Sequence, residues 1–211
     1  MTLSKDQVDL VMVSYNSRLV LPAFFQSLRK FTKSSFRLWV IDNNSADGSQ
    51  AYLQTLSQDQ FFRQKMILVL NKTNTGVAKA WNQAVLLTSG RLIVFLNPDL
   101  LFTKSWLSRL TASAVRHKKA MVVGVKILNP DGTIYHAGAI SQIRGKGKSN
   151  RSGLYDEEKV VHWIQGSCFL VKREIFQQIG GFDEQFFVYG EEIDFCHRVR
   201  KAGFEVLYSP V

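Results

Sequence analysis

Apolar positions in the first hundred residues recur in two alternating rhythms. Val8–Ser14 (VDLVMVS) is a nearly continuous apolar run ending in polar residues, as expected of a parallel strand covered on both faces. Over residues 19–31, the apolar side chains Leu21, Phe24, Phe25, Leu28 and Phe31 fall three or four apart, which predicts an amphipathic helix. The alternation then repeats. A strand over 36–41 ends at Asp42, and a turn at 45–48 leads into a helix through Leu56. Met66–Leu70 is the third strand, 76–87 a helix, and Leu92–Leu96 (LIVFL) a fourth strand that delivers the chain to Asn97, Pro98 and Asp99. Strands separated by helices at this spacing imply right-handed βαβ units and a mostly parallel central sheet flanked by helices, an α/β architecture.

After Asp99 the rhythm loosens. A helix is predicted over 104–115, a strand over 121–125, and a hairpin around Asn129, Pro130, Asp131 and Gly132. Residues 141–158 form an aperiodic stretch containing Gly, Ser and Lys, which reads as a mobile loop, and strand character returns over 160–171. A last helix runs from about Glu191 to Ala202, with Gly203 as its C-terminal stop. A chain of 211 residues, 45% hydrophobic, supports one substantial core and not two comfortable ones. A single domain over 1–211 is expected.

The formal charge of +10 is compatible with nucleic acid, anionic lipid or a phosphorylated small substrate as partner. Its distribution narrows the choice: residues 1–100 hold 11 Lys and Arg against 6 Asp and Glu, and residues 101–211 hold 16 against 11. No basic tail or focused basic face emerges, so no nucleic-acid partner is expected. The densest runs are Arg116, Lys118 and Lys119, then Arg144, Lys146, Lys148 and Arg151. They read either as solvated surface or as a modest membrane- or phosphate-facing patch. Cys168 and Cys196 lie in apolar surroundings without C-x-x-C spacing, as buried, reduced thiols would. The N-terminus lacks signal-peptide character, and no apolar run reaches the roughly 20 residues that a spanning helix needs. The expected setting is cytoplasmic, with any membrane contact peripheral at the inner face of the cytoplasmic membrane.

Ligands of parallel sheets collect beyond the carboxyl ends of the strands, and here every such end is polar. Asp99, just past a buried strand, suits a divalent cation that neutralises a departing diphosphate; a capping Asp in an N-P-D turn reads equally well. Asp42 suits a ribose hydroxyl or a base N–H, or a turn. Between Asn74 and Asn82 small residues open a helix, allowing close approach of phosphate or sugar, or tight helix packing. Glu191, Glu192 and Asp194 crowd the start of the last helix, where the dipole favours carboxylates. Mutual repulsion there can raise one acid to the range a general base needs.

In order along the chain stand V-S-Y-N at 13–16, I-D-N-N-S-x-D-G at 41–48, N-x-G-x-A-x-A-x-N at 74–82, L-N-P-D at 96–99 and G-G-F-D-E-x-F-F-x-Y-G-E-E-x-D at 180–194. Each is weak alone; the ordered set, across nearly the whole chain, resembles the inverting family 2 glycosyltransferases of GT-A fold, and their rhamnosyltransferase-like members in particular. The resemblance implies a nucleotide-sugar donor, Mg2+ or Mn2+, and inversion at the anomeric carbon. It implies donor contacts from Ser14, Tyr15, Asn16, Asp42, Asn44, Asn74, Gly76, Asn82 and Asn97, with Asp99 on the metal. Glu192 is the first choice of base, with Asp194 second and Glu191 beside them. Trp163, Gln165 and Gly166 match the strand that approaches acceptor and donor sugar, although a core Trp reads as well. Residues 1–100 would form the donor half, and 101–211 the acceptor and base half.

Two departures stand out. The family's D-x-D begins here with Asn97, and its E-D pair is Glu191 and Glu192. Similar enzymes continue beyond the Y-x-P step at Tyr208 to Pro210, so the resemblance implies a chain shortened at its C-terminus. The expected activity is transfer of a deoxyhexose such as rhamnose, or a hexose, from a dTDP- or UDP-sugar to a polysaccharide or lipid-linked glycan. The alternative is a catalytically impaired nucleotide-sugar-binding module. A Rossmann dehydrogenase is disfavoured because no G-x-G-x-x-G follows the first strand.

Overall fold

The computed structural model of the chain describes residues 8–139 and 155–211. Its first half alternates strands and helices: β1 (Val8–Ser14), α1 (Leu21–Phe31), β2 (Phe36–Asp42), α2 (Ser49–Ser57), β3 (Met66–Leu70), α3 (Val77–Leu87) and β4 (Leu92–Leu96). Then follow α4 (Trp106–Arg116), β5 (Ala120–Val125), β6 (Ile127–Leu128), β7 (Ile134–His136), β8 (Lys159–Val161), β9 (Cys168–Lys172), α5 (Arg173–Ile179), α6 (Glu191–Lys201) and β10 (Glu205–Ser209). Eight strands make one sheet in the order β3-β2-β1-β4-β9-β5-β10-β8. β9 runs antiparallel between β4 and β5, and β8 antiparallel at the edge; the other pairings are parallel.

Side-chain alternation along the strands explains the two layers. Leu10 and Met12 of β1 face a core completed by Phe24, Phe25 and Leu28 of α1, Leu53 of α2, and Trp106, Leu107 and Leu110 of α4. Val11 faces the opposite core, filled by Trp81 and Val85 of α3, Phe176 of α5, and Phe195 and Val199 of α6. Both faces are covered, which is why the strands read as continuous apolar runs. The exception inside β1 is Asp9, which is buried. Its carboxylate accepts hydrogen bonds from Trp39 Nε1 at 3.1 Å and from the backbone N–H groups of Ser89 and Gly90 at 3.0 and 2.6 Å. It ties the turn before β4 to the sheet.

Several expectations change. Helix α1 starts at Leu21, not residue 19, with Pro22 in its first turn and Leu19 left 95% exposed. Helix α4 starts after Ser105, whose φ of 63° breaks the helix expected from residue 104. The strand character of 160–171 divides into β8 at the sheet edge and β9 at its centre. Helix α5 and strand β10 were not legible as elements; α5 is only seven residues long. The hairpin appears as β6–β7, closed by Gly132 N–H donating to Asn129 O at 2.9 Å. Both cysteines are free and buried. The expected loop 141–158 lies outside the described residues up to 154, as do Arg144, Lys146, Lys148 and Arg151. Arg116, from the other basic run, pairs with Glu158 at 2.8 Å.

One close approach in the sheet has a measurable consequence. A Cβ at Gly124 of β5 would lie 2.3 Å from Ile164 Cγ2, so only glycine lets the 162–167 segment pack there. Gly124→Ala is expected to destabilise the fold by about 1–3 kcal/mol, read from the urea unfolding midpoint. Ile164→Ala in the same chain should recover part of that loss.

Candidate active site

The carboxyl ends of β1, β2, β3 and β4 lie along one edge of the sheet, since these strands are mutually parallel. The loops after β1 and β2 are bonded to each other. Asn16, left-handed at φ 48°, donates its N–H to Ser45 Oγ at 2.9 Å, and its Oδ1 accepts from Ala46 N–H at 2.9 Å. Asp47 accepts from Arg18 N–H, also at 2.9 Å. Tyr15 stands half exposed above this lattice. Asn44, with φ 65°, makes the tight turn.

Ser14 and Asp42 are 0% exposed. Asp42 Oδ1 accepts from Ser45 N–H at 2.8 Å and from Gln50 Nε2 at 2.9 Å, and its Oδ2 accepts from Ser45 Oγ at 2.7 Å. In this conformation Asp42 organises the loop, and a nucleotide would reach it only after Ser45 or Gln50 moved. Next to it, Asn43 Nδ2 donates to Gly76 O at 3.0 Å while its Oδ1 accepts from Asn71 Nδ2 at 2.9 Å. Asn71 exchanges amide bonds with Gln83 of α3 at 3.0 and 2.9 Å. This chain of amides fixes the entrance of α3, and Gln83 had no sequence signal to single it out from a solvated helix residue.

At that entrance Asn74 Oδ1 accepts from Gly76 N–H at 3.0 Å. Gly76 has φ 82°, and a Cβ there would lie 2.6 Å from Phe187 O; both facts require glycine. Phe187 O accepts from Val77 N–H at 2.7 Å. Asn82, expected at the donor, is engaged by the protein itself: Nδ2 donates to Phe182 O and Oδ1 accepts from Phe182 N–H, both at 2.9 Å.

Asn97 and Asp99 follow β4. Asn97 N–H donates to Ser167 O at 2.8 Å, which joins this turn to the segment before β9. Asp99 is exposed, and among the described residues nothing hydrogen-bonds to it. No group of three or more His, Cys, Asp or Glu side chains able to hold a metal is present among the described residues. An exposed, unpartnered carboxylate fits a hard cation that takes its other oxygens from a diphosphate and water.

Across the site, α6 begins at Gly190 (φ 103°). Glu191 is 5% and Glu192 9% exposed. Burial, with the like charge of Glu192 adding to it, lifts Glu191 to about 7. Burial also raises Glu192, against the pull of backbone N–H groups including those of Gly190 and Gly166. The Gly190 N–H reaches Glu192 Oε2 at 3.3 Å. Gly166 is wedged between Glu192 and the Trp81 ring: an added Cβ would sit 3.5 Å from Glu192 Cδ and 3.4 Å from Trp81 Cη2. Asp194, by contrast, is paired with Arg198 at 2.7 Å, so its carboxylate already has a partner. Trp163 lies beside His136, ring centroids 5.1 Å apart, and burial holds His136 neutral, down to about 4. Among the described residues, Glu191 Oε2, Gln165 Oε1, Trp81 Nε1 and His136 Nε2 are buried with no hydrogen-bond partner. Buried polar atoms left open in this way mark positions for water or a ligand.

A sequence model described as Glycosyl transferase family 2 matches residues 9–180, and one described as N-terminal domain of galactosyltransferase matches residues 157–210. The chain is 29% identical to the N-acetylglucosaminyl-diphospho-decaprenol L-rhamnosyltransferase of Mycobacterium tuberculosis, over 97% of this chain and 74% of the relative. Among solved structures it is similar to a mannosyltransferase from Pyrobaculum calidifontis in complex with GDP-Man and Mn2+, with TM-score 0.75 and 15% identity. It is similar too to GalNAc-T7 with UDP, GalNAc and Mn2+, with TM-score 0.76 and 17% identity. These likenesses cover 98% and 97% of this chain but only 55% and 42% of those two structures.

Proposed function

Because this chain belongs to glycosyl transferase family 2 and has the GT-A fold, we propose that it moves rhamnose, or a related deoxyhexose or hexose, from a dTDP- or UDP-sugar to a lipid-linked glycan, with inversion. What carries the reading is a chain of contacts. The turn of the open Asp99 carboxylate is bonded through Asn97 N–H to Ser167 O, and Gly166 next to it packs against Glu192 of the buried Glu191–Glu192 pair. The segment before that pair packs through Phe187 on the glycine-dependent helix entrance at Gly76. The rhamnosyltransferase relative, named for a diphospho-decaprenol substrate, supports the acceptor class and the sugar. The neighbours solved with nucleotide or nucleotide sugar and Mn2+ support the donor class and a divalent ion.

In this reading Tyr15, Asn16, Asn74 and Gly76 line the donor site, and Asp99 with the Asn97 turn would hold Mg2+ or Mn2+. The bound ion supplies positive charge to the departing diphosphate. Glu192 takes the proton from the acceptor hydroxyl as that oxygen attacks the anomeric carbon from the face opposite the diphosphate. Its burial beside Gly166 and Trp81 keeps water away and raises its affinity for the proton. Gln165 Oε1 and Trp163 lie on the segment that presents the acceptor sugar. Among the described residues no helix is long and apolar enough to cross a membrane.

A thermal-shift series against UDP-, dTDP- and GDP-sugars with and without Mn2+ tests the donor assignment, because a ligand bound only to the native state raises the melting temperature. A Mn2+-dependent rise of several degrees with a dTDP- or UDP-sugar is expected. A rise with GDP-sugars alone would replace the donor, and no rise with any would remove it. Binding without transfer to a polyprenyl-diphosphate-linked sugar would favour the impaired-module reading.

A further inference from the structure

The segment from Gly181 to Gly190 links the two sides of the site, and Asn82 grips its beginning. The reciprocal pair of 2.9 Å bonds to the Phe182 peptide spans 100 residues of sequence. A third bond runs from Asn82 Nδ2 to Glu184 Oε1 at 3.1 Å. Gly181 is left-handed at φ 75°, and a Cβ there would lie 2.8 Å from Asn82 Oδ1; the chain is shaped so that this amide can come close. The Phe182 ring then packs against Trp81, Phe95, Phe176 and Phe195, with centroids 4.8–5.4 Å apart. At the far end of the segment Val77 N–H holds Phe187 O. From the other side Arg198, oriented by Asp194, donates to Ile179 O at 3.0 Å and to Gly181 O at 2.7 Å.

We infer that Asn82 is a positioning residue: it clamps the 181–190 segment to helix α3, so that the Gly76 entrance and the Glu191–Glu192 pair keep a fixed separation. A side-chain amide is suited to this, since one group must donate to a carbonyl and accept from an N–H of the same peptide. Both N–H donors and one acceptor position of Oδ1 are thereby committed, and no donor is left for a phosphate. The assignment of the two sides to donor and base rests on the function proposed above; the clamp itself does not.

Asn82→Asp keeps the size and the acceptor but loses the donor, and Asn82→Ala loses both. Hydrogen exchange without ligand should show amides of 182–190 exchanging at least about tenfold faster in both variants, with Glu184→Ala close to the parent. Dissociation constants for UDP-glucose and dTDP-rhamnose with Mn2+ should stay within about twofold, while the turnover number for transfer or donor hydrolysis falls by about 10- to 100-fold. Unchanged exchange across 182–190 in folded Asn82→Ala overturns the clamp. A weakened donor with unchanged exchange would make Asn82 a ligand of the donor. If the parent protein binds neither nucleotide sugar, the proposed function fails on that result, and the exchange comparison still decides the clamp.

Discussion

Glu192→Gln is expected to reduce sugar transfer by about 100- to 10,000-fold, the usual contribution of a positioned general base, while leaving nucleotide-sugar affinity within about twofold. Glutamine keeps an oxygen for the Gly190 N–H and nearly the same volume beside Gly166 and Trp81, so the loss reports proton transfer and not packing. The pH profile adds a second check. A base works only when ionised, and burial places the neighbouring Glu191 at about 7 with Glu192 shifted in the same direction. Transfer should therefore rise with pH through a midpoint above the ordinary carboxylate range and level off beyond it. The stability contribution runs the other way. Because Glu191 holds its proton more tightly folded than unfolded, stability falls as pH rises from the ordinary glutamate value of 4.5 to about 7. Single-turnover measurements on Glu191→Gln and Asp194→Asn complete the assignment. If Glu192→Gln turns over normally and Glu191→Gln does not, the base is Glu191. An Asp194→Asn enzyme should lose the hold of Arg198 on Gly181 and so show loosened 179–182 amides; loss of turnover with those amides unchanged would move the base to Asp194.

Asp99→Ala is expected to erase the difference between donor affinity with and without Mn2+. The carboxylate is exposed and, among the described residues, unpartnered, so its removal costs the fold little and the ion its protein charge. A loss of about 10- to 100-fold in metal-dependent affinity is the expected scale. Titration calorimetry with the nucleotide sugar at fixed Mn2+ measures it. An unchanged Mn2+ effect would assign the ion to other oxygens and leave Asp99 as a turn residue. Asn97 offers an amide where a second carboxylate would add charge, so the parent protein should itself need more Mn2+ in the Asn97 form than in Asn97→Asp.

Strands β1, β2 and β4 were readable because both faces of each are buried, and β3, half-buried at the sheet edge, because it too is an unbroken apolar run between amphipathic helices. Strand β9 was readable as a strand but not in its place: an antiparallel partner for β4 and β5 has the same apolar run as a parallel one. Candidate site residues stood out in the sequence where glycine or acid stands at an element's end, as at Gly76 and Glu191. Roles stood out less. Asp42 was legible as a strand-end acid, yet its three bonds to Ser45 and Gln50 depend on loop conformation. Asn82 looked like one more amide in a donor motif; only the fold shows that its partner is the Phe182 peptide. Asp9 was hidden by its position inside an apolar run, where burial of a charge is visible only once the N–H groups of Ser89 and Gly90 are in place.

The placement of β9 sets an order of events during synthesis. Residues 168–172 fill the gap between strands made from residues 92–96 and 120–125. Until they emerge, β4 presents an unpaired edge, a template for association with other chains. Contacts of such long sequence separation also form late. Residues 1–100 are therefore not a folding unit by themselves. A fragment ending before Cys168 should aggregate where the 211-residue chain stays monodisperse, and the nascent chain has reason to be sheltered until its middle strand arrives.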